Sequence, residues 1–195
     1  MPKPKRPAFF LDRDGTLIKD VGYLSRPSQI RFYRGAAAAL RRLKRAGFLL
    51  FVVTNQSGVA RGYFPESAVR RVHAVIQARL KAKGAGLDGY FYCPHYPGAP
   101  LKAYAKKCAC RKPKAGMVRQ AARAFAVDLK RSYMAGDKLD DLGLAKNAGL
   151  GGAFLVRTGN GRRSEKELKK QKGKTPVVAG LAQAARWVLS RKAKT

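Results

Sequence analysis

Short apolar runs alternate with longer segments of helical period along almost the whole chain, and this alternation restricts the fold more than any other feature. The apolar runs are AFFL, FLLFVV, DGYFY, SYMA and AFLV. Successive parallel strands need a long crossover between them, and a helix is the usual crossover. The sequence therefore predicts an α/β fold with a Rossmann-like parallel sheet and helices on both faces, in a single domain over residues 1–195.

Two segments interrupt this alternation. Residues 157–175 are polar and charge-dense, which predicts a mobile surface loop that can include a turn of helix. Residues 93–111 show neither helical nor strand period, and a loop of that length inside a compact domain needs an external staple. A final amphipathic helix is predicted over Leu181–Arg191.

The chain is strongly basic, because 42 Lys and Arg against 11 Asp and Glu give a formal net charge of +31. Such a field attracts nucleic acid, anionic membrane surfaces and small polyanions. The basic residues are scattered over nearly every predicted helix, which favours a generally basic surface over a dedicated polyanion partner. The longest apolar stretch, Phe48–Val53, is far too short to span a membrane, and the amino-terminal residues include no apolar signal core. We therefore expect a cytoplasmic protein.

Five of the few acids fall into two clusters, and each cluster follows an apolar run. Asp12 and Asp14 follow AFFL, and Asp137, Asp140 and Asp141 follow SYMA. Parallel strands deliver such residues to a shared crevice at their carboxyl ends. One carboxylate there can attack phosphorus, a second can transfer protons, and hard oxygens suit Mg²⁺. The alternatives are an ordinary Asp-rich turn and, for Asp140 or Asp141, an acid at a helix start.

Two further polar strings fall near the ends of predicted strands. TNQSG, residues Thr54–Gly58, follows FLLFVV and offers neutral donors for phosphate oxygens, although such a string can also be a helix cap. RKPKAG, residues Arg111–Gly116, contains Lys112, which can neutralise charge on a transferring phosphoryl group. One lysine carries little weight in so basic a chain, so its significance depends on its neighbours.

The three cysteines and one of the two histidines form a candidate metal site. Cys93, His95, Cys108 and Cys110 make a complete Cys₃His set, which fills a tetrahedral Zn²⁺ shell and leaves no open position for catalysis. The sequence thus predicts a structural zinc loop over residues 93–110 in a reducing compartment. Free buried cysteines are the alternative. His73 lies in a predicted helix among basic neighbours and is assigned a structural or surface role.

The strings DRDGT, TNQSG, RKP and GDKxxD occur in the order of the four motifs of the haloacid dehalogenase (HAD) superfamily of aspartate-based phosphatases, which the chain resembles. With its CPH and CAC segments it resembles, over almost its whole length, the D-glycero-D-manno-heptose-1,7-bisphosphate 7-phosphatases and the related histidinol-phosphate phosphatases. The resemblance implies a minimal cap and Mg²⁺-dependent hydrolysis of a phosphate monoester through an aspartyl phosphate, as part of heptose and lipopolysaccharide precursor synthesis.

The same resemblance implies roles for individual residues. Asp12 is the expected nucleophile and Asp14 the acid and base, while Asp12, the backbone carbonyl of Asp14 and Asp137 are the expected Mg²⁺ ligands. Thr54, Asn55 and Lys112 are expected to hold the phosphoryl oxygens. The residues expected to face the sugar or its second phosphate are Asp20, Val21, Gly22, Tyr23, Gln56, Ser57, Arg111 and Lys138.

The expected partner is a small phosphorylated sugar, bound by a monomer. Polynucleotide 3′-phosphatases share the DxDGT and TNQ motifs and have a polyanionic substrate that suits the charge, but they lack the Cys-x-His and Cys-x-Cys loop. Histidinol phosphate is a further alternative substrate. An inactive, basic nucleic-acid-binding module is an alternative of another class, against which the intact Asp12, Asp14 and Asp137 argue.

Overall fold

The computed structural model describes residues 4–192 and consists of strands and helices that alternate along the chain. The strands are β1 (Arg6–Leu11), β2 (Leu49–Asn55), β3 (Gly89–Cys93), β4 (Val127–Gly136), β5 (Gly152–Val156) and β6 (Val177–Val178). The helices are α1 (Ala36–Arg45), α2 (Glu66–Lys81), α3 (Gly116–Ala124), α4 (Leu139–Ala148), α5 (Gly161–Lys170) and α6 (Leu181–Lys192), and a short 3₁₀ helix covers Pro27–Gln29.

All strand pairs are parallel, and the strand order is β3-β2-β1-β4-β5-β6. The connections run outward from β1 in one direction and from β4 in the other, so the strand order reverses between these two strands. Leu11 at the end of β1 pairs with Val52 of β2 and with Ala135 of β4. The carboxyl ends of the three central strands therefore lie side by side at the position where such sheets bind ligands.

Helices cover both faces of the sheet, as the alternation predicted. Along β1, Phe9 and Leu11 belong to the core shared with α1, α2 and α6, whereas Ala8 and Phe10 belong to the core shared with α3 and α4. Successive side chains of a strand point to opposite faces, so an apolar run of this kind fills two cores at once. These two cores fix the central strands from which the site residues project.

The connections carry little structure of their own, which confirms the minimal cap. Residues 12–35 contain only the 3₁₀ helix and two isolated bridges, Asp14 with Ile18 and Ile18 with Phe32. Residues 94–115 contain turns but neither helix nor strand. No helix within residues 4–192 has both the length and the apolar character to cross a membrane.

The prediction of a mobile loop over residues 157–175 is wrong, because α5 occupies Gly161–Lys170. Glu165 pairs with Arg157 at 2.8 Å and with Lys169 one turn later at 3.3 Å, and Leu168 packs into the body with 7% of its surface exposed. Pairs at i and i+4 stabilise a polar helix modestly, and one buried leucine anchors it. The short edge strand β6 has no apolar pattern long enough to predict it.

Candidate active site

The carboxyl ends of the central strands bring three acids together in the interior. Asp12 follows β1, Asp137 follows β4, and Asp141 lies in the first turn of α4. Each is at most 4% exposed, and one carboxylate oxygen of each lies within 4.8 Å of the others. Three buried carboxylates at this separation repel one another strongly and need cations to compensate them.

Lys112 supplies one of those cations, from the segment between β3 and α3. Its Nζ donates to Asp12 Oδ1 at 2.6 Å, to Asp141 Oδ1 at 2.6 Å and to the Val53 carbonyl at 3.0 Å. Burial by itself would lower the pKa of Lys112, but the two carboxylates outweigh it and raise the pKa above its ordinary value. The ammonium group is therefore a fixed positive charge beside Asp12.

Asp141 holds Lys112 in place. Its Oδ1 accepts from Lys112, and its Oδ2 accepts from the Lys138 backbone N–H at 3.0 Å, so both oxygens have partners. Burial raises its pKa to about 6 despite the neighbouring ammonium group. The structure thus places Asp141 as an anchor of the lysine, while Asp140 is exposed at the helix start.

Asp137 has one satisfied oxygen and one that is not. Oδ2 accepts from the backbone N–H and the side-chain amide of Asn160, at 2.8 and 3.2 Å, whereas Oδ1 is buried without a hydrogen-bond partner in the described part of the chain. Burial, followed by the charge of Asp12, raises the pKa of Asp137 to about 7. An orphaned carboxylate oxygen near a second carboxylate fits a hard cation such as Mg²⁺.

Two glycines allow the chain to close around Asp137. Gly15 and Gly159 have φ values of +85° and +55°, and a Cβ at either would lie 2.2 or 2.4 Å from Asp137 Oδ2. Thr158 donates its hydroxyl to the Gly15 carbonyl at 2.6 Å, which joins the two turns. The β5–α5 loop, which the sequence did not associate with the site, is therefore part of its wall.

Asp14 stands beside this cluster and reaches the solvent-filled cleft. Its carboxylate accepts from Arg13 Nη2 at 2.8 Å and from Gln56 Nε2 at 2.9 Å, both at Oδ2. Its side chain is 14% exposed. A carboxylate that is anchored on one side and open to a cleft on the other has the geometry of a proton donor and acceptor.

The TNQSG string is largely engaged in holding the site together. Gln56 donates to Thr54 Oγ1 at 2.9 Å as well as to Asp14, and its Oε1 accepts from Arg13 at 2.8 Å. Asn55 Oδ1 accepts from the Lys112 backbone N–H at 3.1 Å. Gln56, expected to face the sugar, is thus bound on both sides of its amide and is only 5% exposed. Its contacts are those of a residue that positions its neighbours.

Most of the residues expected to contact the sugar share one cleft of about 290 Å³. Lys138 forms a long ion pair with Asp20 at 3.9 Å across it. Tyr23 packs edge-on against Tyr63 at a centroid distance of 4.5 Å. Val21 is 45% exposed and does not contribute to the lining. The lining residues are Asp14, Asp20, Gly22, Tyr23, Asn55, Gln56, Ser57, Gly58, Phe64 and Lys138.

Arg111 lies outside that lining, between the active site and the cysteine cluster. Its Nη1 donates to the His95 carbonyl at 3.2 Å, and its guanidinium lies 4.9 Å from the centre of the Tyr96 ring. Arg61 also packs on Tyr96, at 4.3 Å. The position of Arg111 is therefore set by the loop that the cysteines hold.

The predicted zinc ligands lie together. The sulfur atoms of Cys93, Cys108 and Cys110 are 3.1, 3.3 and 3.5 Å apart, and His95 Nδ1 is 3.4 Å from Cys110 and 3.8 Å from Cys93. Tetrahedral Zn²⁺ with bonds of about 2.3 Å separates its sulfur ligands by about 3.8 Å, whereas a disulfide needs about 2.0 Å. The hydrogen bond between Cys110 and Cys93 lowers the pKa of Cys110 to about 5, and a thiolate is the form that binds metal.

Three residues at the site were missed by the sequence analysis or given no specific role there. Arg13 lies inside the DRDGT string but is one of 42 basic residues, so its type carried no signal. His73 was given a structural or surface role, yet its ring contacts Arg13 at 3.2 Å. Asn160 binds Asp137, and its place shortly after the apolar run AFLV was a signal of the same kind as the one used for Asp12.

Comparison with protein families places the chain in a class. A family model described as polynucleotide kinase 3 phosphatase matches residues 7–141, and one described as HAD-hydrolase-like matches residues 109–184. The fold and the site define a phosphatase, a phosphoric monoester hydrolase, of the HAD-like hydrolases.

Individual relatives narrow this class. The chain is 47% identical to the D-glycero-β-D-manno-heptose-1,7-bisphosphate 7-phosphatase of Haemophilus ducreyi over 83% of its length and 89% of that protein, and 40% identical to the Escherichia coli K12 enzyme over 94% and 88%. It is also similar to the crystal structure of D,D-heptose 1,7-bisphosphate phosphatase from B. bronchiseptica complexed with magnesium and phosphate, with 35% identity, a TM-score of 0.82 and coverage of 95% and 99%. The chain belongs to the family of the D-glycero-β-D-manno-heptose-1,7-bisphosphate 7-phosphatases.

Proposed function

We propose that this protein removes the 7-phosphate of D-glycero-β-D-manno-heptose 1,7-bisphosphate, as a single-domain enzyme of heptose and lipopolysaccharide precursor synthesis. The observation that carries the proposal is the buried Asp12 carboxylate, held by Lys112 at 2.6 Å at the strand edge where Asp137 and Asp14 also lie. The names of relatives that are 40% to 47% identical over most of the chain supply the substrate.

The chemistry follows from the positions of two carboxylates. Asp12 attacks the phosphorus, and the bond from phosphorus to the sugar oxygen breaks as that oxygen takes a proton from Asp14. Water then attacks the aspartyl phosphate, Asp14 takes the proton that the water loses, and Asp12 leaves as a carboxylate. One water is consumed, and one sugar hydroxyl and one inorganic phosphate are formed. Lys112 and Thr54 hold the phosphoryl oxygens during both steps.

Two metals complete the proposal. Asp12, Asp137 and the backbone carbonyl of Asp14 would hold Mg²⁺, which would offset the repulsion between a carboxylate and a phosphate dianion. The unpaired Oδ1 of Asp137 supports this set. Cys93, His95, Cys108 and Cys110 hold a structural Zn²⁺. Because free thiols at these distances persist in a reducing compartment, we place the enzyme in the cytoplasm. We also propose that it acts as a monomer.

A second candidate is a polynucleotide 3′-phosphatase, which the family match over residues 7–141 and the net charge of +31 favour. The proposal of a heptose bisphosphate substrate has the stronger support, because relatives named as heptose-1,7-bisphosphate 7-phosphatases match up to 94% of the chain. The cleft of about 290 Å³ is also of the size of a small-molecule site and suits a sugar phosphate.

A substrate panel tests the assignment. Phosphate release is measured from heptose 1,7-bisphosphate, histidinol phosphate and a 3′-phosphorylated oligonucleotide, each with and without Mg²⁺. We expect the highest kcat/KM with the heptose, dependent on Mg²⁺, and no turnover by Asp12→Asn with its fold intact by circular dichroism. A preference for the oligonucleotide would replace the proposed substrate, and substantial activity of Asp12→Asn would remove Asp12 as nucleophile.

A further inference from the structure

Arg13 is among the largest fully buried side chains, with 1% of its surface exposed, and each of its guanidinium nitrogens has a partner. Nη2 donates to Asp14 Oδ2 and to Gln56 Oε1, both at 2.8 Å, and Nε lies 3.1 Å from both oxygens of Asp14. Nη1 lies 3.2 Å from His73 Nε2. A buried guanidinium with this many fixed partners has a single orientation.

His73 is the acceptor behind this guanidinium. Arginine donates hydrogen bonds and accepts none, so His73 Nε2 must accept, which puts the ring proton on Nδ1 and leaves the imidazole neutral. The ring stacks on Tyr90 at a centroid distance of 4.6 Å, which fixes its plane. Burial and the positive charge of Arg13 lower the pKa of His73 to about 3, in agreement with a neutral ring.

The two oxygens of Asp14 consequently differ. Oδ2 receives Arg13 Nη2 at 2.8 Å, Gln56 Nε2 at 2.9 Å and Arg13 Nε at 3.1 Å. Within residues 4–192, the one donor to Oδ1 is the shared Arg13 Nε, at 3.1 Å. Since Asp14 also lines the cleft, Oδ1 is the oxygen that remains available to a ligand.

We propose that Arg13, held by His73 and Gln56, is a positioning residue that anchors Asp14 Oδ2 and thereby presents Oδ1 as the oxygen that gives its proton to the leaving group. This inference rests on the proposed acid role of Asp14. It assigns a task to Arg13 and His73, and it adds to Gln56, which also lines the cleft, the task of fixing the acid.

A purely structural role for Arg13 predicts a different kinetic pattern. If the guanidinium only stabilises the fold, its loss lowers the activity toward every phosphate ester by the same factor. If it positions the acid, the loss depends on the leaving group. A sugar oxygen needs a proton as it departs, whereas 2,4-dinitrophenolate is a stable anion that departs without one.

The experiment measures kcat/KM for heptose 1,7-bisphosphate and for 2,4-dinitrophenyl phosphate, because kcat/KM reports formation of the aspartyl phosphate. The variants are Asp14→Asn, Arg13→Met, His73→Phe and His73→Gln. Phenylalanine keeps the ring against Tyr90 and removes the acceptor, whereas the glutamine oxygen restores an acceptor near the position of Nε2. Val72→Ala, a buried change in the same helix, is the control for general loss of packing.

We expect Asp14→Asn to lose roughly 10²- to 10⁴-fold on the sugar substrate and far less on the aryl phosphate. His73→Phe should lose roughly tenfold on the sugar substrate, the size of one hydrogen bond to a charged group, and about twofold or less on the aryl phosphate. His73→Gln should recover most of the loss. Arg13→Met should show a larger difference between its losses on the two substrates than His73→Phe does. Val72→Ala should show no such difference.

Equal losses on both substrates for His73→Phe and Arg13→Met, with a clear split for Asp14→Asn, would overturn the inference and leave the acid role intact. Equal losses for Asp14→Asn would overturn the acid role and the inference together. If Arg13→Met does not fold, the comparison of His73→Phe with His73→Gln tests the positioning role. Failure of His73→Gln to recover the activity lost by His73→Phe would refute that role.

Discussion

Replacement of Asp141 by asparagine tests the buried ion-pair cluster with almost no change in shape. One carboxylate oxygen of Asp141 binds Lys112 Nζ at 2.6 Å, and the other accepts from the Lys138 backbone N–H at 3.0 Å. An amide has only one oxygen, so in either orientation its NH₂ group faces one of these two donors. The substitution therefore removes a charge and leaves one of the two donors without an acceptor.

The size of the effect follows from what Lys112 retains. Breaking a buried ion pair by changing one partner costs about 3–5 kcal/mol. Lys112 keeps its hydrogen bonds to Asp12 at 2.6 Å and to the Val53 carbonyl at 3.0 Å, so its ammonium group still has a carboxylate partner. We therefore expect the free energy of unfolding to fall by about 1–3 kcal/mol, the cost of leaving one donor without an acceptor, since the raised pKa of Asp141 means that burial disfavours its charge and losing that charge adds no further cost.

Urea unfolding at about pH 8, where a carboxyl with a pKa of about 6 is ionised, measures this loss. Asp140→Asn is the matched control, because the same change of chemistry occurs at the exposed neighbouring position of the same helix. It should change the stability by about 0.5 kcal/mol or less. If Asp141→Asn is as stable as Asp140→Asn, then Asp141 does not anchor Lys112 and the description of the cluster fails.

Three other outcomes are expected. Metal analysis should show that Cys108→Ala loses zinc. The variant should also raise KM more than it lowers kcat, because the cysteine loop continues directly into Arg111; an unchanged KM would contradict this. The pKa of His73 is about 3 in the folded protein against 6.5 when unperturbed, so the unfolded chain binds the extra proton and stability should fall as pH drops below 6.5. The difference in unfolding free energy between the wild type and His73→Gln, measured by urea titration, should change by about 1.4 kcal/mol per pH unit below that pH. If the unfolding free energies of the two proteins instead run parallel with pH, the imidazole is not buried as a neutral group. Gly159→Ala should sharply reduce Mg²⁺-dependent turnover, since the new Cβ would lie 2.4 Å from Asp137 Oδ2. The control is Gly149→Ala, at a similar φ of +67° with no atom within 4 Å, which should lower only the thermal midpoint. Equal activities of the two variants would argue against the close contact at Gly159.

The fold could be predicted because the period of the apolar residues is a local property. Each strand of the sheet except β6 overlaps an apolar run, although β4 begins at Val127, five residues before its run SYMA, and each helix except α5 has an apolar face that the sequence displays. The helix α5 was missed since its ion pairs, such as Arg157 with Glu165, look like solvated charge until the chain is folded. Local charge density does not distinguish a polar helix from a polar loop.

The site was predictable to the extent that it lies directly after strands. Position alone singled out Asp12, Thr54 and Asp137, and the structure brings them to the same edge of the sheet. Arg13 and His73 could not be found in this way, because their significance is a contact between residues 60 positions apart. The hydrogen bonds of the Gln56 amide with Arg13 and Asp14 likewise depend on side-chain geometry, which the spacing of residues in the sequence does not show.

The distribution of charge over the molecule affects how a substrate arrives. Asp12 and Asp137 are buried and the Asp14 side chain is only 14% exposed, whereas basic residues of several helices, among them Arg41, Arg42, Arg70 and Lys81, face the solvent. A doubly charged phosphate ester approaching through water thus meets an attractive potential first and the carboxylates only at the end of its path. Since this attraction reaches about 10 Å at ordinary ionic strength, added salt should slow the encounter while leaving the bond-breaking steps unaffected.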